Sequence, residues 1–165
     1  MRYLVLTALA LASACGDTTS PISSGAVEDA AASGRTALRR ARESLIAAGN
    51  AVSAAIGEDG VAAGLGDALA ANVVLLSHRK PAISGRSEAE AFLSSDPLAP
   101  SALSWEVIFA DVSADAQQGY TWAHGSSTFD FGTGPITLPS FFLIYWRRSG
   151  SGDWTIGPAY RGKVL

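Results

Sequence analysis

The chain is poor in the side chains that most often carry chemistry. Its 165 residues include one cysteine, Cys15, and two histidines, His78 and His124. A single thiol excludes an internal disulfide and any cysteine-based metal site. Two histidines so far apart give no metal-ligand spacing, so no metal is expected, and no cofactor is called for. Strong charge of one sign is also missing: 12 Lys and Arg stand against 15 Asp and Glu, a formal −3. That mild acidity argues against nucleic acid as a partner. Beyond the amino terminus no apolar run is long enough for a membrane span. Gly64-Leu65-Gly66-Asp67 lacks the third glycine and the preceding strand of a dinucleotide loop. No Gly-x-Ser-x-Gly elbow occurs.

What is present begins at residue 2. Arg2 is followed by an uncharged, apolar stretch from Tyr3 to Ala12, then by small residues and Cys15. The stretch is too short to span a bilayer as a helix and has the layout of a secretory signal with a small-residue cleavage site. Ala12-Ser13-Ala14-Cys15 resembles the lipobox of bacterial lipoproteins, although Ala12 stands where Leu is usual and Leu11 lies one step back. The resemblance implies cleavage before Cys15, a diacylglyceryl group on its thiol, and export to the cell envelope with the membrane as partner through that lipid. The organisation read from this is a signal peptide at 1–14, a polar linker at 15–26 and one domain at 27–165. Removing Arg2 leaves 11 basic against 15 acidic residues, so the mature chain has a formal charge of −4. An ordinary secretory signal with an incidental free cysteine is the alternative.

Periodicity supplies the elements. Leu38, Ala41, Leu45, Ala48, Val52 and Ala55 recur at spacings of three and four, which predicts a helix from Val27 to about Ile56, with Arg35, Arg39 and Arg42 in solvent. Gly57 and Glu58-Asp59-Gly60 should end it. A second short helix is expected over Val61–Ala71, a strand over Val73–Leu76, an extended stretch at 81–85 and a helix from Ser87 through Leu93. Strands then follow at about Leu103–Val112, Gly119–Thr128, Leu138–Arg148 and Trp154–Tyr160, separated by turn-forming residues. Short turns between consecutive strands imply antiparallel pairing. Helix first and meander second imply an α+β layer fold.

Ile83-Ser84-Gly85-Arg86, Leu103-Ser104-Trp105, Ala110-Asp111-Val112-Ser113, Gly119-Tyr120-Thr121-Trp122, Tyr145-Trp146-Arg147-Arg148 and Gly152-Asp153-Trp154 occur in that order. The series resembles the nuclear transport factor 2-like superfamily, in particular its SnoaL-like group of small uncharacterised domains. The resemblance covers roughly Leu38 to Trp154. It implies a cone-like curved antiparallel sheet packed around a long N-terminal helix, enclosing an apolar pocket. It further implies that such a domain is a ligand binder, an isomerase, cyclase or dehydratase, or a dimerising interaction module.

Enzymes of that kind use a pocket Asp or His as general base, its pKa tuned by apolar surroundings. Here the candidates are His124, Asp67 and Asp111. Each has a plainer reading: a structural histidine, a helix–strand corner, and a turn cap at a strand end. His78 reads as a rim residue, and no paired signature can be carried over residue by residue. Tyr120, Trp122, Tyr145 and Trp105 are expected to line the pocket. Strand alternation puts Gln118, Tyr120, Trp122 and His124 on one face and Gly119, Thr121, Ala123 and Gly125 on the other. Which set faces the pocket is open. Phe141 to Trp146 is apolar on both faces, as expected of a central strand buried on both sides or set in a dimer interface. The leading expectation is a small apolar or amphipathic ligand in the pocket, with a homodimer as a further partner.

Overall fold

The computed structural model describes residues 24–76 and 81–163. Cys15, the segments expected as signal and linker up to residue 23, and His78 lie outside the described residues. Three helices and six strands follow in the order α1 (Ser24–Asp59), α2 (Val61–Gly66), β1 (Leu69–Leu76), β2 (Ile83–Ser84), α3 (Arg86–Ser95), β3 (Ala102–Val112), β4 (Gln118–Asp130), β5 (Pro135–Arg148) and β6 (Trp154–Lys163). The strands form one unclosed sheet in the order β2-β1-β6-β5-β4-β3. This is the expected α+β class, a long helix against a curved sheet. One detail differs from a purely antiparallel sheet. β1 pairs with β6 in parallel, so the sheet is mixed. No hairpin joins those two strands: the meander β3 to β6 returns to lie beside β1, which adjacency in sequence does not reveal.

Helix α1 is rich in alanine and free of proline, both favourable to helix. It runs through Gly57 and stops at Gly60, whose φ of +85° a side chain would oppose. From Glu28 to Arg40 no residue is buried. Packing begins at Ala41 and continues through Leu45, Gly49 and Ile56 on one face, while Leu38, Ala48, Val52 and Ala55 of the expected stripe are only half-buried. The stripe turns because the helix lies against β3 and the inner face of β4. A Cβ on Gly49 would sit 2.7 Å from Val107 Cγ2, and one on Gly119 would sit 2.6 Å from Leu45 Cδ2. Those two glycines set the distance between helix and sheet.

Polar groups of α1 also cover the free edge of β3. Ser53 Oγ accepts from the Trp105 amide at 2.8 Å and Asn50 Oδ1 from the Val107 amide at 2.9 Å. Unpaired edge amides would otherwise offer a template for another strand. The core behind them holds Leu45, Leu69, Val73, Ala123, Ile144, Trp146 and Ile156, all at most 3% exposed. Burying each of the larger aliphatic side chains contributes roughly 1.5–3 kcal/mol. Trp146, fully buried, donates from Nε1 to Thr121 Oγ1 at 2.9 Å, which satisfies the one polar atom of its ring.

Two bulges decide which residues face inward. On β3, Val107 pairs with Ala123 but Phe109 with Trp122, so both Ile108 and Phe109 are exposed and Ala110 turns in. On β6, Ile156 pairs with Trp146 and Ala159 with Ile144, leaving Gly157 and Pro158 opposite Tyr145 alone. Proline has no amide to give a ladder and is tolerated at such a point. Beyond the bulge the alternation is inverted.

Candidate functional site

The inner face of the sheet, α2 and α3 border a half-open cavity of about 90 Å³. Leu65 of α2 and Phe92 and Leu93 of α3 form one wall, with Leu103, Trp105, Phe142, Ile144 and Ile156 of the sheet opposite. Trp105 donates from Nε1 to Gly49 O at 3.0 Å and stands 5.0 Å from the Phe142 ring, so the tryptophan's polar edge is spent on α1 and its carbon surface faces the cavity. Such a lining favours apolar guests.

One charged group joins that lining. Arg161 follows the β6 bulge, which turns it to the inner face opposite Phe142. Its guanidinium carbon lies 4.7 Å from the centre of the Phe129 ring. It makes no ion pair or hydrogen bond among the described residues. Burial holds its pKa below the ordinary arginine value, with Tyr160 opposing that shift. An arginine remains protonated at neutral pH all the same. No carboxylate and no imidazole among the described residues lines the cavity. Among the described residues no cluster of His, Cys, Asp and Glu could hold a metal ion.

The expected site residues fall in different places. Trp105 lines the cavity. Tyr120, Trp122 and Tyr145 do not: they stand on the outer face of the sheet, where Tyr120 and Tyr145 border a shallow groove. The inward set on β4 is the small one, Gly119, Thr121, Ala123 and Ser127, because α1 packs directly against it. His124 shares the outer face with Trp122 and is exposed, paired in register with Glu106 and Phe141. Asp67 is exposed at the corner after α2, where its amide closes the helix on Leu65 O. Asp111 sits at the sheet rim. Its Oδ1 accepts from the Val112 amide at 2.9 Å and from Arg42 at 2.9 and 2.6 Å, and these bonds lower its pKa. None of the three catalytic candidates reaches the cavity.

The outer face has its own character. Trp122 stacks on Phe141 at 5.1 Å and 5°, and Phe109 and Tyr120 lie 5.9 Å apart. Tyr120, Leu143, Tyr145, Pro158 and Tyr160 border a shallow groove there. Phe109, Tyr120, Trp122, Leu143 and Tyr160 are between 36% and 51% exposed, a large apolar area to leave in water.

No protein-family profile matches the chain, and no curated protein does. Solved structures do. A ketosteroid isomerase-like protein from Erwinia carotovora atroseptica superposes with a TM-score of 0.61 at 19% identity, over 75% of this chain and 96% of that one. An NTF2-like protein with a cystatin-like fold from Novosphingobium aromaticivorans gives 0.56 at 14%, over 84% and 90%. The chain has the nuclear transport factor 2-like fold. A Mycobacterium tuberculosis protein solved in complex with estradiol-17beta-hemisuccinate shares this fold with a TM-score of 0.52 at 20% identity, over 74% and 94%. At these identities the likeness concerns the fold, and function has to be argued from the site.

Arg161 and the α2 and α3 walls were missed from sequence. Ending the last strand at Tyr160 left the arginine outside it, and simple alternation from Ile156 would have pointed it outward. The signal that could have found it is the Gly157-Pro158 pair, a bulge composition inside a strand.

Proposed function

We propose that this chain is an exported lipoprotein, held at the cell envelope through lipid on Cys15, whose nuclear transport factor 2-like domain takes a small apolar or amphipathic molecule into its inner cavity. The observation that carries this reading is the carbon-lined cavity between α2, α3 and the sheet. The Mycobacterium tuberculosis neighbour with its bound steroid ester supports the use of this fold for ligand binding. Assignment to the SnoaL-like group belongs to the same proposal and rests on the ordered motifs from Ile83 to Trp154. An isomerase, cyclase or dehydratase would need a base in the cavity, and His124, Asp67 and Asp111 all lie elsewhere.

The cavity is tested by adding hexan-1-ol to the protein labelled at Leu and Ile methyl groups. Methyl resonances of Leu65, Leu103, Ile144 and Ile156 should shift, and Ala159→Leu, which grows into the cavity, should suppress the response. Shifts confined to Leu143 on the outer face would refute the reading. The anchor is tested by Cys15→Ser, which should move the protein from the membrane fraction to the soluble one. Retention in the membrane would end the lipoprotein proposal.

The outer sheet face favours a second reading, a homodimer. Two copies related by a twofold axis would bury the Trp122–Phe141 stack and Leu143 against their own counterparts. Sedimentation at micromolar concentration should give a dimer that Leu143→Glu dissociates. A monomeric wild type would refute it.

A further inference from the structure

Within the pocket reading above, on which this inference rests, the lining constrains the ligand further. Fourteen residues border the cavity, and Arg161 is the one among them that carries a formal charge. Its guanidinium is half-buried, lies along the Phe129 ring, and finds no acceptor among the described residues. A guanidinium taken from water without a carboxylate or carbonyl partner is costly, and its planar donors match a carboxylate in two parallel bonds. Among the side chains of the lining, the Tyr160 hydroxyl is the one oxygen beside it.

Size sets the other end of the ligand. At about 90 Å³ the space is small beside the engineered cavity of about 150 Å³ that takes benzene, and it is open on one side. A short flexible chain can lie in such a narrow, half-open space with part of its length outside it. We propose that the natural ligand class is a short-chain aliphatic carboxylate, its chain lying among Leu65, Leu93, Trp105 and Ile144 and its acid group held by Arg161 at the cavity wall.

The test is calorimetric titration of the full chain with hexanoate, hexanamide and hexan-1-ol at neutral pH, with methyl resonances of Leu65 and Ile144 followed in parallel. Hexanoate should bind about ten-fold or more tightly than hexanamide, as a charge-assisted pair requires. Arg161→Gln should erase the preference, bringing the ratio of hexanoate to hexanamide binding close to one. Arg161→Lys should retain part of the preference, with circular dichroism showing both variants folded. Equal binding of acid and amide, or an unchanged ratio in Arg161→Gln, would overturn the head-group assignment. If hexan-1-ol still moved the cavity methyls, the pocket itself would stand. If none of the three compounds moved those methyls, the pocket reading would fall and this proposal with it.

Discussion

Thr121→Val isolates one buried hydrogen bond. Thr121 and Trp146 are both fully buried, and the indole Nε1–H donates to the threonine hydroxyl at 2.9 Å. Thr121 Cγ2 lies 3.9 Å from where a Cβ on Gly49 would be, so the methyl packs toward α1 while the hydroxyl serves the indole. Valine keeps that methyl and replaces the hydroxyl with a second one of similar size. What changes is that the indole donor loses its acceptor in a fully buried site. Leaving a buried donor unpaired costs about 1–3 kcal/mol, more than the net worth of an average hydrogen bond. Urea unfolding should show that loss as a lower midpoint with an unchanged slope. In a Trp146→Phe background there is no donor to orphan, and the same Thr121→Val change should cost little. The cavity left by the smaller ring appears in both arms of the cycle and cancels. If Thr121→Val cost the same in both backgrounds, the bond would have no part in stability and the threonine would matter only through its packing.

Two further outcomes follow from the same reasoning. Asn50→Ala and Ser53→Ala each uncover one β3 amide near solvent and should cost about 0.5–1.5 kcal/mol apiece. Hydrogen exchange at the amides of Val107 and Trp105 respectively should quicken, and unchanged rates would show that α1 does not cover that edge. Asp111 has its pKa lowered by the Val112 amide and by Arg42. A depressed folded-state value stabilises the fold above the unfolded carboxylate range near pH 4 and loses that effect as pH falls through the folded value. Thermal melts of the wild type should therefore fall off more steeply below about pH 4 than those of Asp111→Asn, and parallel profiles would contradict the assignment.

Much of the fold was legible because long periodic segments announce themselves. The stripe through Ala41 and Leu45 located α1, and the turn residues between Val112 and Gly119 and between Arg148 and Trp154 separated the strands at nearly their observed limits. The parallel β1–β6 contact was not legible, since nothing local records which strands meet at a distance. The orientation of β4 was not either. Its two faces were separated correctly, but the large aromatic set was assigned to the pocket and the small set is the one that faces inward. Size misled because the space behind Gly119 and Thr121 is occupied by a helix that itself carries Gly49 there. The cavity was obscured for a related reason. Its walls come from α2, α3 and the far end of β6, and a bulge at Gly157-Pro158 inverts the alternation that would have marked Arg161.

The unpacked half of α1 has a mechanical consequence. Glu28 to Arg40 spans about 20 Å at ~1.5 Å per residue before Ala41 is buried, so the helix works as a lever arm fixed at one end. A pull on its N-terminus, such as a tether on Cys15 would deliver, passes to the sheet through the packed half of the helix. It loads the contacts of Leu45, Gly49, Asn50 and Ser53 against the sheet. These lie in a row along the helix axis and resist in shear, all together, and do not peel apart one by one. Traction on the arm is thus borne by β3 and the centre of the sheet, and through Trp105 it reaches a wall of the cavity.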